Sequence, residues 1–147
     1  MKLVLDASMA LAWLFQREKP MEAACADDAL VALMPTDAPV PAGALVPPLW
    51  HTEVANALLV GERRRVITAA QSMDYLHRLA LLPITTDDSA VPSRRDLVMA
   101  LARQHALSAY DATYLDLALR TGSVIATFDN TLAAAMRNAG GKVFGDA

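Results

Sequence analysis

Short apolar runs recur along this chain, each too brief for a helix and most followed by a helix-start signal. Residues 2–5 (Lys-Leu-Val-Leu), 44–46 (Ala-Leu-Val) and 123–127 (Ser-Val-Ile-Ala-Thr) read as buried strands. Pro83-Ile84-Thr85 and the stretch around Val143-Phe144 add two shorter ones. Between them lie helical signals. Ser8 can cap a helix through Phe15, and Pro20 with Glu22 opens one over 20–33. Pro47-Pro48 opens one over 49–59, stopped at Gly61. Thr68-x-x-Gln71, Ser93-x-x-Asp96 and Ser108-x-x-Asp111 are capping boxes for helices to about 81, 105 and 122. Asp129 can cap a last helix to Asn138. Residues 35–43, with three prolines, form a loop. Apolar strands alternating with helices imply an α/β fold, a mostly parallel sheet of about five strands with helices on both faces.

The 147 residues suit one domain, 1–147. Hydrophobic residues make up 54% and charged residues 20%, which argues against disorder and for some apolar surface that a partner covers. A formal net charge of −3 excludes a nucleic-acid binder that works by bulk positive charge, though not a local basic patch. The single cysteine, Cys25, excludes an intrachain disulfide and a zinc knuckle and suits the cytoplasm. Asp6 interrupts the N-terminal apolar run too soon for a secretory leader, and no apolar run approaches the roughly 20 residues of a membrane span.

In parallel sheets, ligands sit beyond the carboxyl ends of the strands. Asp6 and Asp129 fall just past two expected strand ends, and Asp111 lies in the first turn of the helix leading into the second of those strands. A fourth acid, Glu53, sits in the apolar segment 49–59, sharing a helix face with Trp50, Asn56 and Ala57. Each has a plain alternative. Asp6 and Asp129 could only cap helices, Asp111 could only complete its capping box, and Glu53 could face water. Should the four converge, mutual repulsion and burial raise their pKa values until a cation neutralises them. Oxygen-only ligands select a hard ion, Mg²⁺ or Mn²⁺, rather than zinc. Such an ion can acidify a bound water and shield a phosphodiester.

Four segments carry a resemblance: Val4-Leu5-Asp6-Ala7-Ser8; His51 through Leu58 (His-Thr-Glu-Val-Ala-Asn-Ala-Leu); Leu107 through Leu115 (Leu-Ser-Ala-Tyr-Asp-Ala-Thr-Tyr-Leu); and Ala126 through Leu132 (Ala-Thr-Phe-Asp-Asn-Thr-Leu). In their order and spacing the sequence resembles PIN-domain ribonucleases, and most closely the VapC toxins of type II toxin–antitoxin pairs. The resemblance implies a five-stranded parallel sheet flanked by helices. It implies that Asp6, Glu53, Asp111 and Asp129 are the catalytic, metal-holding acids, with Mg²⁺ as cofactor and Mn²⁺ as a substitute. Ser8 and Thr127 stand where the family often has a hydroxyl near the metal, and Asn56 fits a polar support one turn from Glu53. The implied activity is metal-dependent hydrolysis of RNA, leaving a 5′-phosphate and a 3′-hydroxyl. The implied partners are an RNA substrate, a second copy in a homodimer, and a cognate antitoxin that lays a helix and tail over the toxin and can push an arginine into the acidic site. The one departure is the proline-rich insertion at 35–48.

Arg63-Arg64-Arg65 after the Glu53 helix, with Arg94-Arg95 and Arg103, could meet RNA phosphates first; equally, cations favour helix C-termini. His51, His77 and His105 read as surface or packing residues. Met9, Trp13 and Phe15 form either core or a partner groove. Tyr110 and Tyr114 read as packing residues, with base stacking as the alternative for Tyr114. Asp116 falls on another helical face from Asp111, and Asp87-Asp88 reads as a turn.

Two other functions compete. An aspartyl phosphatase of the haloacid-dehalogenase kind also puts Asp after the first strand, but needs a second Asp where this chain has Ser8, and no lysine is well placed. A non-enzymatic interaction module would keep the fold and use the acidic pocket only to bind a basic tail.

Overall fold

A computed structural model of the chain describes residues 2–37, 39, 42–89 and 91–147. Four strands are ordered in it: β1 (Lys2–Leu5), β2 (Gly43–Val46), β3 (Ile84–Thr86) and β4 (Val124–Ala126). They form one sheet in the order β3-β2-β1-β4, and every pairing is parallel. Leu3, Val4 and Leu5 of β1 are buried, as are Ile125 and Ala126 of β4. Uninterrupted apolar strands of this kind require helices on both faces, because only a doubly covered sheet hides both sets of side chains.

Among the described residues seven helices supply that cover: α1 (Ala7–Leu11), α2 (Pro20–Leu33), α3 (Leu49–Arg63), α4 (Ala69–Leu79), α5 (Val91–His105), α6 (Ala109–Thr121) and α7 (Asn130–Asn138). Among the described residues, none is long and apolar enough to cross a membrane. The capping box at α4 forms in full: Thr68 Oγ1 accepts the Gln71 N–H and Gln71 Oε1 accepts the Thr68 N–H. At α6 the Ser108 half forms, and Gly122 ends the helix at φ +63°, which glycine adopts without steric cost.

Several expectations need correction. The fifth strand reduces to one parallel bridge between Ile125 and Val143, so the sheet has four strands among the described residues. Gly61 does not stop its helix; α3 runs on to Arg63, and a Cβ at Gly61 would sit 2.9 Å from the Phe15 ring, so the glycine serves close packing. α1 starts at Ala7, with Asp6 rather than Ser8 at the N-cap, because the Ser8 hydroxyl turns back to Asp6. α5 begins at Val91, before Ser93, with Pro92 in its first turn where no N–H is needed. Of the loop at 35–43, residues 38, 40 and 41 lie outside the described residues.

Candidate functional site

The strand order creates a crevice. From β1 the chain proceeds outward to β2 and β3, then returns to place β4 on the other side of β1. Loops leaving β1 and β4 therefore diverge at their carboxyl ends, the usual position of a ligand site in an open parallel sheet. Asp6 is the first residue after β1. Thr127 and Asp129 follow β4.

Two hydroxyls stitch these loops together. Ser8 Oγ and Thr127 Oγ1 each donate to Asp6 Oδ2 at 2.6 Å. In turn, Ser8 Oγ accepts the Phe128 N–H at 3.0 Å and Thr127 Oγ1 accepts the Asp129 N–H at 2.9 Å. Asp129 does cap α7, its Oδ1 accepting the Leu132 N–H at 2.9 Å. That bond uses one oxygen of its carboxylate.

The other two acids come from helices. Asp111 stands in the first turn of α6, where Ser108 Oγ accepts its N–H at 3.1 Å. Glu53 lies in α3, half-buried, and its Oε1 accepts the Tyr114 hydroxyl at 2.5 Å. Tyr114 is fully buried and three residues beyond Asp111. One face of α6 thus carries both an acid and the phenol that holds a second acid on α3.

The four carboxylates feel one another. Burial pushes Asp6 above its ordinary value; hydrogen bonds from Ser8, Thr127 and the Ala7 amide pull it back, and the Asp129 charge pushes it up again. Glu53 is raised by burial and by the Asp6 and Asp111 charges, against the bond from Tyr114. Asp111 is raised by burial and then by Asp129 and Asp6, against Ser108. None of the four takes part in an ion pair among the described residues, where every salt bridge goes to another acid. The donor set is therefore all oxygen, mutually repelling and uncompensated, which is the chemistry a hard divalent cation fits. No group of three or more His, Cys, Asp or Glu among the described residues stands close enough to form a ready-made cage. Like charges without a counter-ion keep their distance, and Mg²⁺ retains several waters between itself and protein ligands.

Of the other residues singled out, Ser8 and Thr127 join this centre. Asn56, one turn from Glu53 on α3, is exposed, and among the described residues Glu53 accepts a hydrogen bond from Tyr114. Tyr114 was read as packing or stacking. Its signal lay in the spacing of three from Asp111 and in the need of a buried phenol for an acceptor. Arg63, Arg64 and Arg65 are exposed at the end of α3. His51 bonds Thr86 Oγ1 at 2.8 Å and stacks edge-on against Trp50. Met9 is core, and Trp13 donates to the Ala26 carbonyl. Asp116 and Asp87 pair with arginines.

The fold is of the PIN-like α/β kind, with an acidic crevice beside its central strand. Solved structures similar to it include the following two. The crystal structure of PAE2754 from Pyrobaculum aerophilum matches with a TM-score of 0.60 and 23% identity, over 92% of this chain and 79% of that one. The crystal structure of FitAcB from Neisseria gonorrhoeae matches with a TM-score of 0.61 and 18% identity, over 99% of this chain and 97% of that one. At such identities the likeness shows the fold. No protein-family model matches the sequence, and no curated protein sequence does.

Proposed function

We propose that this chain is a Mg²⁺- or Mn²⁺-dependent endoribonuclease acting as the toxin of a type II toxin–antitoxin pair, with Asp6, Glu53, Asp111 and Asp129 holding the ion. The observation that carries the reading is that burial, with the charges of neighbouring acids, raises Asp6, Glu53 and Asp111, while among the described residues none of them is in an ion pair. Such a site is electrostatically incomplete alone. When bound, the ion supplies charge neutralisation for a phosphodiester and acidifies water. The chain's own residues prepare the ground. Ser8 and Thr127 hold Asp6 in one rotamer, Tyr114 holds Glu53, and the start of α7 holds Asp129. The exposed Arg63, Arg64 and Arg65 supply positive charge that the crevice lacks. The toxin role rests on the resemblance of the four motif segments and on the fold shared with FitAcB. A cognate antitoxin and a second copy are the proposed partners, and Met21, Val31, Val66 and Leu81 expose apolar surface that a partner protein would cover.

The test is cleavage of a mixed single-stranded RNA with Mg²⁺, Mn²⁺ or chelator. Cleavage is expected with either ion, to be lost with chelator and in Asp6→Asn. A second reading, a pocket that only receives a partner's basic segment, fits the finding that among the described residues no three acids form a ready-made cage. No cleavage with either ion, together with weakened binding of a basic partner segment by a folded Asp6→Asn, would establish that reading in place of the nuclease.

A further inference from the structure

Arg17 lies in the segment between α1 and α2, and its contacts place it against the loop that carries Asp129. Its Cζ stands 4.5 Å from the centroid of the Phe128 ring. Phe128 lies between Thr127 and Asp129, and its N–H is accepted by Ser8 Oγ. The guanidinium is also held by Glu22, in the first turn of α2: Nε and Nη2 both donate to Glu22 Oε2, at 3.1 and 2.8 Å. Among the described residues these bonds leave Nη1 unused. We propose that Arg17 is a substrate-binding residue that exchanges Glu22 for a phosphate of an RNA strand passing the β4 side of the crevice. This rests on the ribonuclease reading above and goes beyond it by assigning the strand a contact on this chain.

The physical basis is the supply of donors. The Asp6 N–H goes to the Ala126 carbonyl, the Phe128 N–H to Ser8, the Asp129 N–H to Thr127 and the Leu132 N–H to Asp129. Ionised carboxylates only accept. A phosphate arriving beside these amides therefore needs a side-chain donor, and Arg17 is the arginine stacked on this loop. A guanidinium fork suits phosphate oxygens, and stacking on a ring fixes its plane without using an N–H. The hold of Glu22 is weak enough to exchange. The two side chains are 37% and 27% exposed, and an ion pair open to water contributes little. Lys19 Nζ stands 4.0 Å from Glu22 Oε1, so Glu22 keeps a cation beside it when Arg17 turns to a phosphate.

The experiment follows a labelled single-stranded RNA of mixed sequence by fluorescence anisotropy, over a salt series, with the full chain carrying Asp111→Asn to prevent cleavage. Arg17→Met, which keeps an apolar side chain on Phe128, is expected to weaken binding about fivefold at ~0.1 M salt and to lower the log–log salt slope by about 0.7, the loss of one phosphate contact. Glu22→Gln frees Arg17 and is expected to tighten binding about twofold, the scale of a surface ion pair. The gain is expected to vanish when Arg17→Met is added. An arginine that only tethers the loop would lower the melting temperature and leave the slope unchanged, which overturns the proposal while RNA binding stands. A Glu22→Gln gain that persists without Arg17 reports general charge and also overturns it. Should Arg17→Met fail to fold, Glu22→Gln decides: tighter binding with a steeper slope supports the exchange, and unchanged binding overturns it. If the Asp111→Asn chain and the wild type bind no RNA, the ribonuclease reading falls and this inference with it.

Discussion

Two groups of acids lie in this protein, and they are treated in opposite ways. Beside α5 and α6, Arg94 grips Asp116 through both Nε and Nη2, while Arg120 bonds Asp87 at 2.7 Å and reaches Asp116 at 3.8 Å. Burial pushes Asp87 up, but hydrogen bonds from Arg120 and Ser89 and the Arg120 charge outweigh it and hold the carboxyl below its ordinary value. In the crevice beyond β1 and β4, Asp6, Glu53 and Asp111 are raised. Their hydrogen bonds come from neutral hydroxyls and amides. The first group has its counter-charges inside the chain and fastens helices together. The second is braced for position by neutral donors, and among the described residues no ion pair compensates it.

The sharpest way to break this comparison is to remove one acid from each group. Asp111→Asn is expected to lower RNA cleavage by about 10³-fold or more, the scale of losing a principal electrostatic stabiliser. Asp116→Asn is expected to leave cleavage per folded molecule within a few-fold, while lowering the melting temperature by several degrees, because Arg94 loses a bidentate, buried partner. Equal loss of cleavage in both variants would erase the distinction between the groups.

Ion binding gives the next largest effect. At about 100 times its Kd, Mn²⁺ is expected to stabilise the fold by about 2.7 kcal/mol, read as a rise in melting temperature that chelator reverses. The pH dependence carries opposite signs for the two groups. Asp6, Glu53 and Asp111 have folded pKa values above their ordinary 3.8, 4.5 and 3.8, so between each pair of values the folded chain holds more protons than the unfolded one. Their contribution to stability therefore falls as pH rises through that window. Asp87 lies below 3.8, so its contribution is present above that pH and is lost as pH falls through the lowered value. In chelator, Asp6→Asn is expected to melt a few degrees higher than wild type at pH 7, since the amide oxygen still accepts the two hydroxyls without the charge. With Mn²⁺ present the order reverses. A wild type that outlasts Asp6→Asn in chelator at pH 7 would contradict the picture of an uncompensated crevice.

The contrast also marks what was legible in the sequence. β1 and β4 were visible because the covered residues of a buried parallel strand, Leu3 to Leu5 and Val124 to Ala126, are all apolar, and the four acids because each follows a strand end or shares a helix segment with a recognisable neighbour. Thr68 with Gln71, and Ser108 at α6, were legible because caps act within four residues. The pairings that separate the two groups were not. Arg94 meets Asp116 across 22 residues of sequence and Tyr114 meets Glu53 across 61, and no local pattern encodes such contacts. The same reason explains Gly61, whose role depends on Phe15 in the turn after α1. Val143 fell short of a strand because only one residue of that stretch bridges Ile125.

The smallest expected effect concerns charges without partners of the opposite sign. Arg63 closes α3, Arg64 is its C-cap, and Arg65 adopts a left-handed backbone at φ 58°. All three are exposed, and among the described residues none is in an ion pair. Two forces would keep cations here. The helix dipole favours positive charge at a C-terminus by a few tenths of a kcal/mol. RNA phosphates favour it by releasing counter-ions, with a log–log salt slope of about 0.7 per single-strand contact. Replacing all three by alanine separates the two. If they contact RNA, binding to a cleavage-dead Asp111→Asn background weakens about threefold at moderate salt and the salt slope falls by up to about 2. If they serve only the dipole, the melting temperature drops slightly and the slope stays where it was. A flat slope would assign the arginines to α3 alone and leave the acidic crevice to attract its substrate through the bound ion.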